Sequence, residues 1–205
     1  HPPLLYPMPP NPHFTPVPLD KAYRLLNHGP TVLVSASHAG ADNAMAAAWA
    51  CALDFAPPKV TVVLDKATRT RELVEASGHF ALQLPTRAMA ALTVGIGTDS
   101  AKTHPDKLQR HHVELFDAPG LSDVPAESRP PLVPGCAAWL VCRVIPEPHN
   151  QQAYDLFIGE VVGAWADDRV FRNGHWEFDT APDHLRTLHY VAGGQFYATG
   201  QSIKV

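Results

Sequence analysis

Apolar and polar residues alternate over short stretches in the first half of the chain, which is the pattern of half-buried β-strands. It predicts strands over residues 31–37, 45–53, 59–64 and 79–84, separated by segments rich in Gly, Pro and Asp. Short connections between the first three indicate antiparallel pairing. The Ala-rich stretch 44–52 also has helical propensity and no β-branched residue. We predict a strand there, because turn signals on both sides leave little room for a helix.

The second half contains two long, almost wholly apolar stretches, residues 137–145 and 154–165, which predict buried strands. Asn173 and Gly174 lie between two short apolar segments and predict a tight hairpin. Helical spacing is confined to short segments: residues 19–26, residues 72–77, a helix capped by Thr86 that carries Met89 and Leu92, and residues 106–110. Consecutive strands with few short helices predict an all-β fold, an antiparallel barrel with peripheral helices.

The N-terminus differs from the rest, because eight of the first 18 residues are Pro. This density excludes a helix and favours extended, polyproline-like chain. We therefore divide the chain into a Pro-rich arm, residues 1–18, and one domain, residues 19–205. The arm is either an untethered tail or a segment held on a neighbouring surface by its apolar side chains, Leu4, Leu5, Tyr6 and Phe14. Since Pro lowers the entropy lost on ordering, we predict the held arm.

Composition and charge narrow the choice of partners. Lys and Arg number 16 against 20 Asp and Glu, a formal net charge of −4, and like charges form no long run. This balance argues against a nucleic acid or an anionic membrane as partner. The longest apolar run, residues 44–53, is about half of what a membrane-spanning helix needs. The Cys residues form no C-x-x-C pair and no signal-peptide pattern is present, so we expect a cytoplasmic protein with a small-molecule partner.

Standard hydrolase, metal and nucleotide signatures are absent: there is no G-x-S-x-G, H-E-x-x-H or P-loop. Segment 95–100 imitates the start of a dinucleotide fingerprint, but it lacks the last Gly and follows a predicted helix. We interpret it as a flexible connection. His104, His111 and His112 have no carboxylate or Cys at ligand spacing. We interpret them as a solvated helix end and predict no metal site.

Two segments carry more information. In residues 65–71, three cations and two hydroxyls adjoin the start of a predicted helix, where unpaired N–H groups attract anions. This combination suits a phosphate dianion, although a solvated cationic loop gives the same pattern. In residues 43–49, small side chains follow a turn and form a surface on which a planar polar ring can rest. An ordinary strand core is the alternative there. Together the two segments fit a phosphorylated aromatic cofactor.

Further motifs occur in a characteristic order between residues 30 and 196. They are Pro30-Thr31-Val32-Leu33-Val34-Ser35, Asn43-x-Met45-x-Ala47-x-Trp49, Pro57-Pro58, Lys66-x-Thr68-x-Thr70-x-Glu72-Leu73, Gly78-x-Phe80, Leu84-Pro85-Thr86, Asp106-Lys107-Leu108, Phe157-Ile158-Gly159-Glu160-Val161 and the run from Leu188 to Phe196. In this respect the chain resembles the flavin reductase-like family with the FMN-binding split barrel, in particular its flavoredoxin and NADH:FMN oxidoreductase-like branch. Ala46 and Ala48 depart from it, since relatives often carry hydroxyl residues there, and the Pro-rich arm has no counterpart.

The resemblance implies a six-stranded Greek-key split barrel, a homodimer, and FMN held near the subunit interface. Carried over by motif, five residues would line the isoalloxazine ring and the ribityl chain: Asn43, Met45, Ala46, Ala47 and Trp49. Four would hold the phosphate: Lys66, Thr68, Arg69 and Thr70.

The resemblance also implies an NAD(P)H-dependent flavin reductase, in which a hydride passes from NADH or NADPH to flavin N5. Reduced FMN would then serve a monooxygenase or another electron acceptor. No residue need act as a nucleophile, and His189 is a candidate for proton supply, with an ordinary structural histidine as the alternative. Two other functions remain open: an FMN protein that takes electrons from a protein donor, and a non-catalytic flavin-binding module.

Overall fold

The computed structural model describes residues 11–205, so Leu4, Leu5 and Tyr6 of the predicted arm lie outside the described residues. The strands are β1 (Phe14–Pro16), β2 (Val32–His38), β3 (Ala41–Ala47), β4 (Ala50–Phe55), β5 (Pro58–Val63), β6 (His79–Leu84), β7 (Ala138–Ile145), β8 (Leu156–Asp167), β9 (Phe171–Arg172), β10 (His175–Trp176), β11 (Leu188–Ala192) and β12 (Gln195–Ala198). The α-helices are α1 (Arg69–Ser77), α2 (Ala90–Thr98), α3 (Lys107–Arg110) and α4 (Pro148–Tyr154), and 3₁₀ helices cover Leu19–Leu25, Arg87–Met89, Ala126–Ser128 and Asp183–Leu185.

Eight strands form one antiparallel sheet in the order β3-β2-β6-β7-β8-β5-β4, with β1 paired to β8. Two small ribbons, β9–β10 and β11–β12, are separate from this sheet. The prediction of an all-β antiparallel fold with peripheral helices is confirmed. Apart from the stretch 45–53, each strand predicted as a range lies within two residues of its predicted bounds. No helix within residues 11–205 is long and apolar enough to cross a membrane.

Strand β7 shows why residues 137–145 are apolar on both faces. Leu140 belongs to the main hydrophobic core, whereas its neighbours Trp139 and Val141 belong to a second core on the other face of the strand. The indole N–H of Trp139 is buried and donates to the Val133 carbonyl at 2.9 Å. Both faces of β7 are therefore covered by the chain itself.

The prediction of one strand over residues 45–53 is wrong, because the chain forms two strands there. β3 pairs with β2 at one edge of the sheet, and β4 pairs with β5 at the other. Ala48 and Trp49 carry the chain between the two edges, and no helix forms. The turn before β3 is shorter than predicted, since Ala39 and Gly40 take positive φ values of 50° and 79° and close a tight hairpin.

The start of α1 and the role of Thr86 both differ from the prediction. α1 begins at Arg69, ahead of the predicted start at Glu72, because the Thr68 hydroxyl accepts the Arg71 N–H at 3.4 Å and caps the helix there. Thr86 was expected to cap the following helix, but its side chain makes no capping hydrogen bond. The hairpin predicted at residues 173–174 is confirmed as the turn between β9 and β10.

The interpretation of segment 95–100 as a flexible connection is wrong for most of its length, since α2 extends to Thr98. Its glycines permit close packing instead. A Cβ added to Gly97 would lie 3.0 Å from the Ala46 Cβ, and one added to Gly95 would lie 2.5 Å from the His111 ring. The glycines of this nucleotide-like pattern thus let α2 pack closely against β3 and against His111.

The described end of the predicted arm is attached to the sheet. Phe14 is buried and its ring lies 5.6 Å from that of Trp165, nearly parallel to it. His13 Nδ1 lies 2.8 Å from an Asp168 carboxylate oxygen, and the Asn11 amide donates to Asp167 at 3.0 Å. These contacts hold residues 11–16 along β8. The domain boundary at residue 18 stays a prediction.

Candidate functional site

A cavity of about 480 Å³ lies beside the C-terminal end of β3. Ala46 and Ala47 of β3 and the following Ala48 line one side, which we call the floor. Their side chains are single methyl groups, and those of Ala46 and Ala47 point to opposite faces of β3, so little side-chain bulk projects from the floor. The volume lies within the range of ordinary small-molecule sites, about 300–1,000 Å³.

The sequence did not lead us to the other walls of this cavity. One wall is α2, through Thr93 and Gly97, and another is the ribbon β11–β12, through Tyr190 and Phe196. Thr93 and Gly97 are four residues apart and therefore share one face of a helix. This spacing of small residues could have indicated the wall from the sequence, but only if residues 95–98 had been predicted as helix.

Of the five residues predicted to line a flavin ring, Ala46 and Ala47 border the cavity, and within residues 11–205 Met45 and Trp49 do not. Met45 packs against the main core. The Trp49 side chain is 74% exposed where the chain crosses from β3 to β4. The crossing explains the difference, because Trp49 no longer follows the alternation of β3.

Asn43 connects the two segments that the sequence singled out. Its side chain is only 3% exposed, and its amide donates to the Thr70 hydroxyl at 2.8 Å. The hydrogen bond joins β3 to the first turn of α1. The other atom of the amide, Oδ1, is buried and has no hydrogen-bond partner within residues 11–205. A buried acceptor of this kind is costly unless a ligand or water supplies a donor.

The four predicted phosphate ligands do not form one cradle. Thr68 caps α1 and donates to the Asp65 carbonyl at 2.8 Å, and Thr70 accepts from the Asn43 amide. Lys66 Nζ donates to the Gln152 carbonyl at 2.6 Å, on the side of α4.

Arg69 has a different environment from the other three. It pairs with Glu72 at 2.8 Å and borders a second cavity of about 440 Å³, beside Asp42 and the β2–β3 turn. Arg69 is therefore the predicted phosphate ligand that faces an open space next to β3.

Arg71, counted among the three cations of this segment, is a structural residue. Its side chain is almost fully buried and donates to the Leu64 carbonyl at 3.0 Å and to the Gln151 carbonyl at 2.8 Å. It also forms ion pairs with Glu75 and Asp155. The guanidinium thus fixes α1 to the end of β5 and to α4 and is not available to a ligand.

His189, the candidate for proton supply, does not line the cavity. Successive side chains of a strand point to opposite faces, and it is its neighbour Tyr190 that borders the cavity. His189 Nδ1 lies 3.1 Å from the Gly29 carbonyl, and Nε2 lies 2.9 Å from the Thr199 hydroxyl. Both ring nitrogens are therefore engaged, which favours the structural alternative.

Lys107 stabilises the end of the wall that α2 provides. Its ammonium group is buried and donates to the carbonyls of Ile96 and Asp99 at 3.0 and 3.1 Å, where the helix leaves carbonyls unpaired. Burial lowers the pKa of Lys107 to about 8. Nearby, the His111 ring bonds to the Asp99 carboxylate at 2.8 Å and lowers the pKa of Asp99.

Metal-ligating side chains meet at one place within residues 11–205, the group of His13, Asp167 and Asp168. Asp167 is not free to ligate, because Arg169 and Asn11 donate to both of its oxygens. His104, His111 and His112 form no such group.

Comparisons with known proteins were made over the whole chain. The sequence model described as "Flavin reductase like domain" matches residues 24–196. The YddH protein of Escherichia coli (strain K12), whose function is uncharacterised, is 39% identical over 192 residues, which cover 93% of this chain and 97% of that protein.

Two solved structures are also similar. An FMN-binding domain of a flavin reductase-like enzyme from Shewanella baltica OS155 is 59% identical, with a TM-score of 0.89, over 94% of this chain and 97% of that one. The flavoredoxin of Desulfovibrio vulgaris (Miyazaki F) is 25% identical, with a TM-score of 0.67, over 86% of this chain and 90% of that one.

Proposed function

The chain belongs to the flavin reductase-like family of FMN-binding split barrels, and on that premise we propose that it is an FMN-dependent oxidoreductase that takes a hydride from NADH or NADPH. The observation that supports this most strongly is the hydrogen bond between Asn43 and Thr70. It joins β3, just before the floor at Ala46–Ala48, to the first turn of α1, so one extended ligand that runs along β3 can reach both.

The residues present fit the parts of FMN. A planar ring needs a flat, largely apolar surface, which the floor offers. A ribityl hydroxyl can donate to Asn43 Oδ1, the buried acceptor without a partner. A phosphate is stabilised by the N-terminal N–H groups of α1 and by a cation beside them.

For the phosphate we propose Arg69 as the principal cation and Lys66 as a weaker one. The Arg69 pair with Glu72 is exposed, and such pairs contribute little to stability, so the guanidinium can turn to a phosphate at small cost. The Lys66 side chain is 59% exposed but already donates to the Gln152 carbonyl. It can contribute charge at a distance more readily than a direct contact.

Bound FMN would supply the hydride-accepting position of the reaction. The chain itself would position the rings: the floor supports one face, while Tyr190 and Phe196 on the ribbon limit access of water from the side. The reaction needs no nucleophilic side chain, and we assign His189 no proton-transfer step, because its ring nitrogens are engaged by Gly29 and Thr199.

The decisive experiment is aerobic consumption of NADH and of NADPH by the purified protein with added FMN. Consumption that depends on both protein and FMN is the expected result, and comparison of the two nucleotides identifies the reductant. Binding of FMN without consumption of either nucleotide would contradict the reductase activity while leaving the flavin site intact.

Electron transfer from a protein donor is the second candidate function, and one observation favours it. Within residues 11–205, no charged side chain lines the cavity over the floor. The phosphates of a nicotinamide nucleotide would therefore find no cation there. In this case the protein-bound FMN would be reduced by a protein donor and not by NADH or NADPH. In a non-catalytic flavin-binding module, neither the protein donor nor the nicotinamide nucleotides would reduce the FMN.

We also propose that the chain forms a homodimer, with β4 in the interface. Both faces of the long apolar strand β7 are covered within one chain, but β4 is an edge strand with exposed apolar side chains on one face. Trp49, which precedes the strand, Leu53 and Phe55 are 74%, 51% and 61% exposed. Sedimentation at micromolar concentration should give twice 22.3 kDa, and Leu53→Lys should shift the protein towards the monomer. A wild-type monomer would contradict this proposal.

Under the proposed function, a monooxygenase or another electron acceptor would use the reduced flavin that this protein supplies.

A further inference from the structure

The second cavity is larger than the phosphate of FMN requires. Its volume of about 440 Å³ lies within the range of small-molecule sites, about 300–1,000 Å³. The phosphate contacts of the proposed function use one side of it, at Arg69 and the first turn of α1. The other walls come from the β2–β3 turn, from α3 and from the segment that follows α3. A ligand group that continues beyond the phosphate therefore has space there.

One wall of the second cavity is apolar and supported from behind. It is formed by Leu108 of α3 and by Val113 and Leu115, which follow the helix. The Val113 N–H donates to the Leu108 carbonyl at 2.9 Å, so the chain turns back there and the two residues lie side by side. All three are half-buried and pack against the second core. An aliphatic wall of this kind suits the face of a planar ring.

Two exposed polar side chains border the same cavity. Asp42 on β3 offers a carboxylate, which accepts hydrogen bonds, and Gln109 on α3 offers an amide, which donates and accepts them. An acid that accepts from ribose hydroxyls is a recurring feature of dinucleotide sites. A side-chain amide can pair with the N6 and N7 edge of adenine. The two side chains therefore match the two parts of adenosine.

Positive charge lies at the α1 end of the cavity. The Arg69 guanidinium pairs with Glu72 at 2.8 Å, and the Lys102 ammonium pairs with the same carboxylate at 2.8 Å. Ala101, next to Lys102, borders the cavity as Arg69 does. One carboxylate shared by two cations leaves a net positive charge beside the start of α1, an arrangement that suits a diphosphate.

We propose that the second cavity binds the adenosine diphosphate group of a dinucleotide, with the diphosphate at Arg69, the ribose hydroxyls at Asp42, and the adenine on the apolar wall beside Gln109. The cavity over the floor borders β3 at Ala46 and the second cavity borders it at Asp42, about 13 Å away at roughly 3.3 Å per residue. FAD carries flavin, diphosphate and adenosine in this order, and NADH carries the same adenosine diphosphate group. Placing the flavin of FAD on the floor rests on the proposed function, whereas binding of ADP in the second cavity does not.

The charge of Asp42 separates this proposal from a simple anion site. A carboxylate next to a diphosphate repels it, so without a ribose contact Asp42 can only weaken binding. When ribose hydroxyls donate to Asp42, the same carboxylate strengthens the binding of ADP, although it still weakens the binding of inorganic pyrophosphate. Removal of the carboxylate therefore affects the two ligands in different directions.

Isothermal titration calorimetry of the full chain without flavin compares ADP with inorganic pyrophosphate. Asp42→Ala should weaken ADP binding roughly tenfold, as expected for the loss of a hydrogen bond to a charged group, and should leave pyrophosphate binding unchanged or tighter. Arg69→Ala should weaken the binding of both ligands. Asp123→Ala removes an exposed carboxylate away from the residues that line the cavity, and should bind both ligands like the wild type. Equal or tighter ADP binding by Asp42→Ala, or no ADP binding by the wild type at millimolar concentration, would overturn the subsite.

Two further measurements identify the dinucleotide. If FAD supplies the group, Asp42→Ala should weaken FAD binding roughly tenfold in a flavin fluorescence titration and leave the binding of FMN, which lacks the adenosine, unchanged. If NADH supplies it, the same variant should raise the KM for NADH in the FMN-loaded protein and leave FAD binding unchanged. A variant that changes neither quantity would show that the cavity serves no dinucleotide and that the proposal is wrong. A wild type that binds ADP but neither flavin would contradict the proposed function and not the subsite.

Discussion

The floor of the cavity and its ribbon wall are built in different ways. The floor belongs to β3, which is hydrogen-bonded to β2 along its whole length and connected to α1 through Asn43 and Thr70. The ribbon buries little apolar surface and is positioned by polar contacts at its base. Packing fixes the floor, whereas a few hydrogen bonds fix the wall. The stability of the floor side should therefore depend on side-chain volume and buried charge, and the stability of the wall side should depend on pH.

The largest expected effect concerns the anchor of α1, on the floor side. Arg71→Met removes the donor to two backbone carbonyls and leaves Asp155 with the more distant Lys66, 3.6 Å away, and breaking a buried ion pair costs about 3–5 kcal/mol. We expect a loss of stability near the lower end of this range, because Asp155 is partly exposed. Urea denaturation measures the loss as a lower midpoint. Arg69→Met is the matched control two residues away, with an exposed partner, and should leave the midpoint unchanged. Equal losses in both variants would contradict the structural role of Arg71.

The next largest effect is on the wall side and depends on pH. The pKa of His28 is lowered in the folded protein from 6.5 to about 4. Between these values the unfolded chain binds a proton that the folded chain does not, so stability is complete above about pH 6.5 and is lost as the pH falls towards 4. The contribution is at most about 3 kcal/mol. Melting temperatures at pH 7 and pH 4.5 should differ more in the wild type than in His28→Phe. If the same fall in pH lowers the stability of both proteins equally, the pH dependence does not come from a buried, neutral His28.

Flavin binding tests the floor side of the site, where Arg69 borders the second cavity next to β3. Removing a charge-assisted contact costs about 1.5–3 kcal/mol, so Arg69→Ala should weaken FMN binding roughly 10- to 150-fold. Riboflavin, which lacks the phosphate, should be nearly unaffected. Lys66→Ala should have a smaller effect in the same direction, because Lys66 faces Gln152 and not the second cavity. Titration by flavin fluorescence compares the two ligands. A larger loss for Lys66→Ala than for Arg69→Ala would reverse our ranking of the two cations.

The small residues of the floor could be found from the sequence, although the strand that carries them was predicted with the wrong bounds, whereas the wall could not be found. Local alternation predicts strands such as 79–84, and the small residues after Asn43 indicated a flat surface. The wall depends on contacts between residues far apart in the chain: Thr31 with Tyr190, and His28 with Thr187. Side-chain type alone does not reveal such pairings.

The phosphate segment shows a related limit of sequence reasoning. Lys66, Arg69 and Arg71 look alike as three cations in six residues. The fold gives them three environments: a backbone carbonyl beside α4, the border of a cavity, and a buried network. Composition predicts that cations are present near a helix N-terminus, but only the packing of α1 decides which of them is free to meet a ligand.

The smallest expected effect tests how closely α2 approaches the floor. Replacing a helical Gly by Ala normally stabilises a helix by about 1 kcal/mol. At Gly97 the new Cβ would lie 3.0 Å from the Ala46 Cβ, and overpacking of this kind costs about 1–3 kcal/mol. We therefore expect Gly97→Ala to destabilise the protein by a net amount of about 1 kcal/mol, measured by urea denaturation. Ala46→Gly removes the opposing methyl group but has its own cost in a strand, so the comparison is made in that background: Gly97→Ala introduced into Ala46→Gly should stabilise the protein relative to Ala46→Gly alone. If Gly97→Ala alone stabilises the protein, α2 can move away from β3, and the floor is then no more rigid than the ribbon.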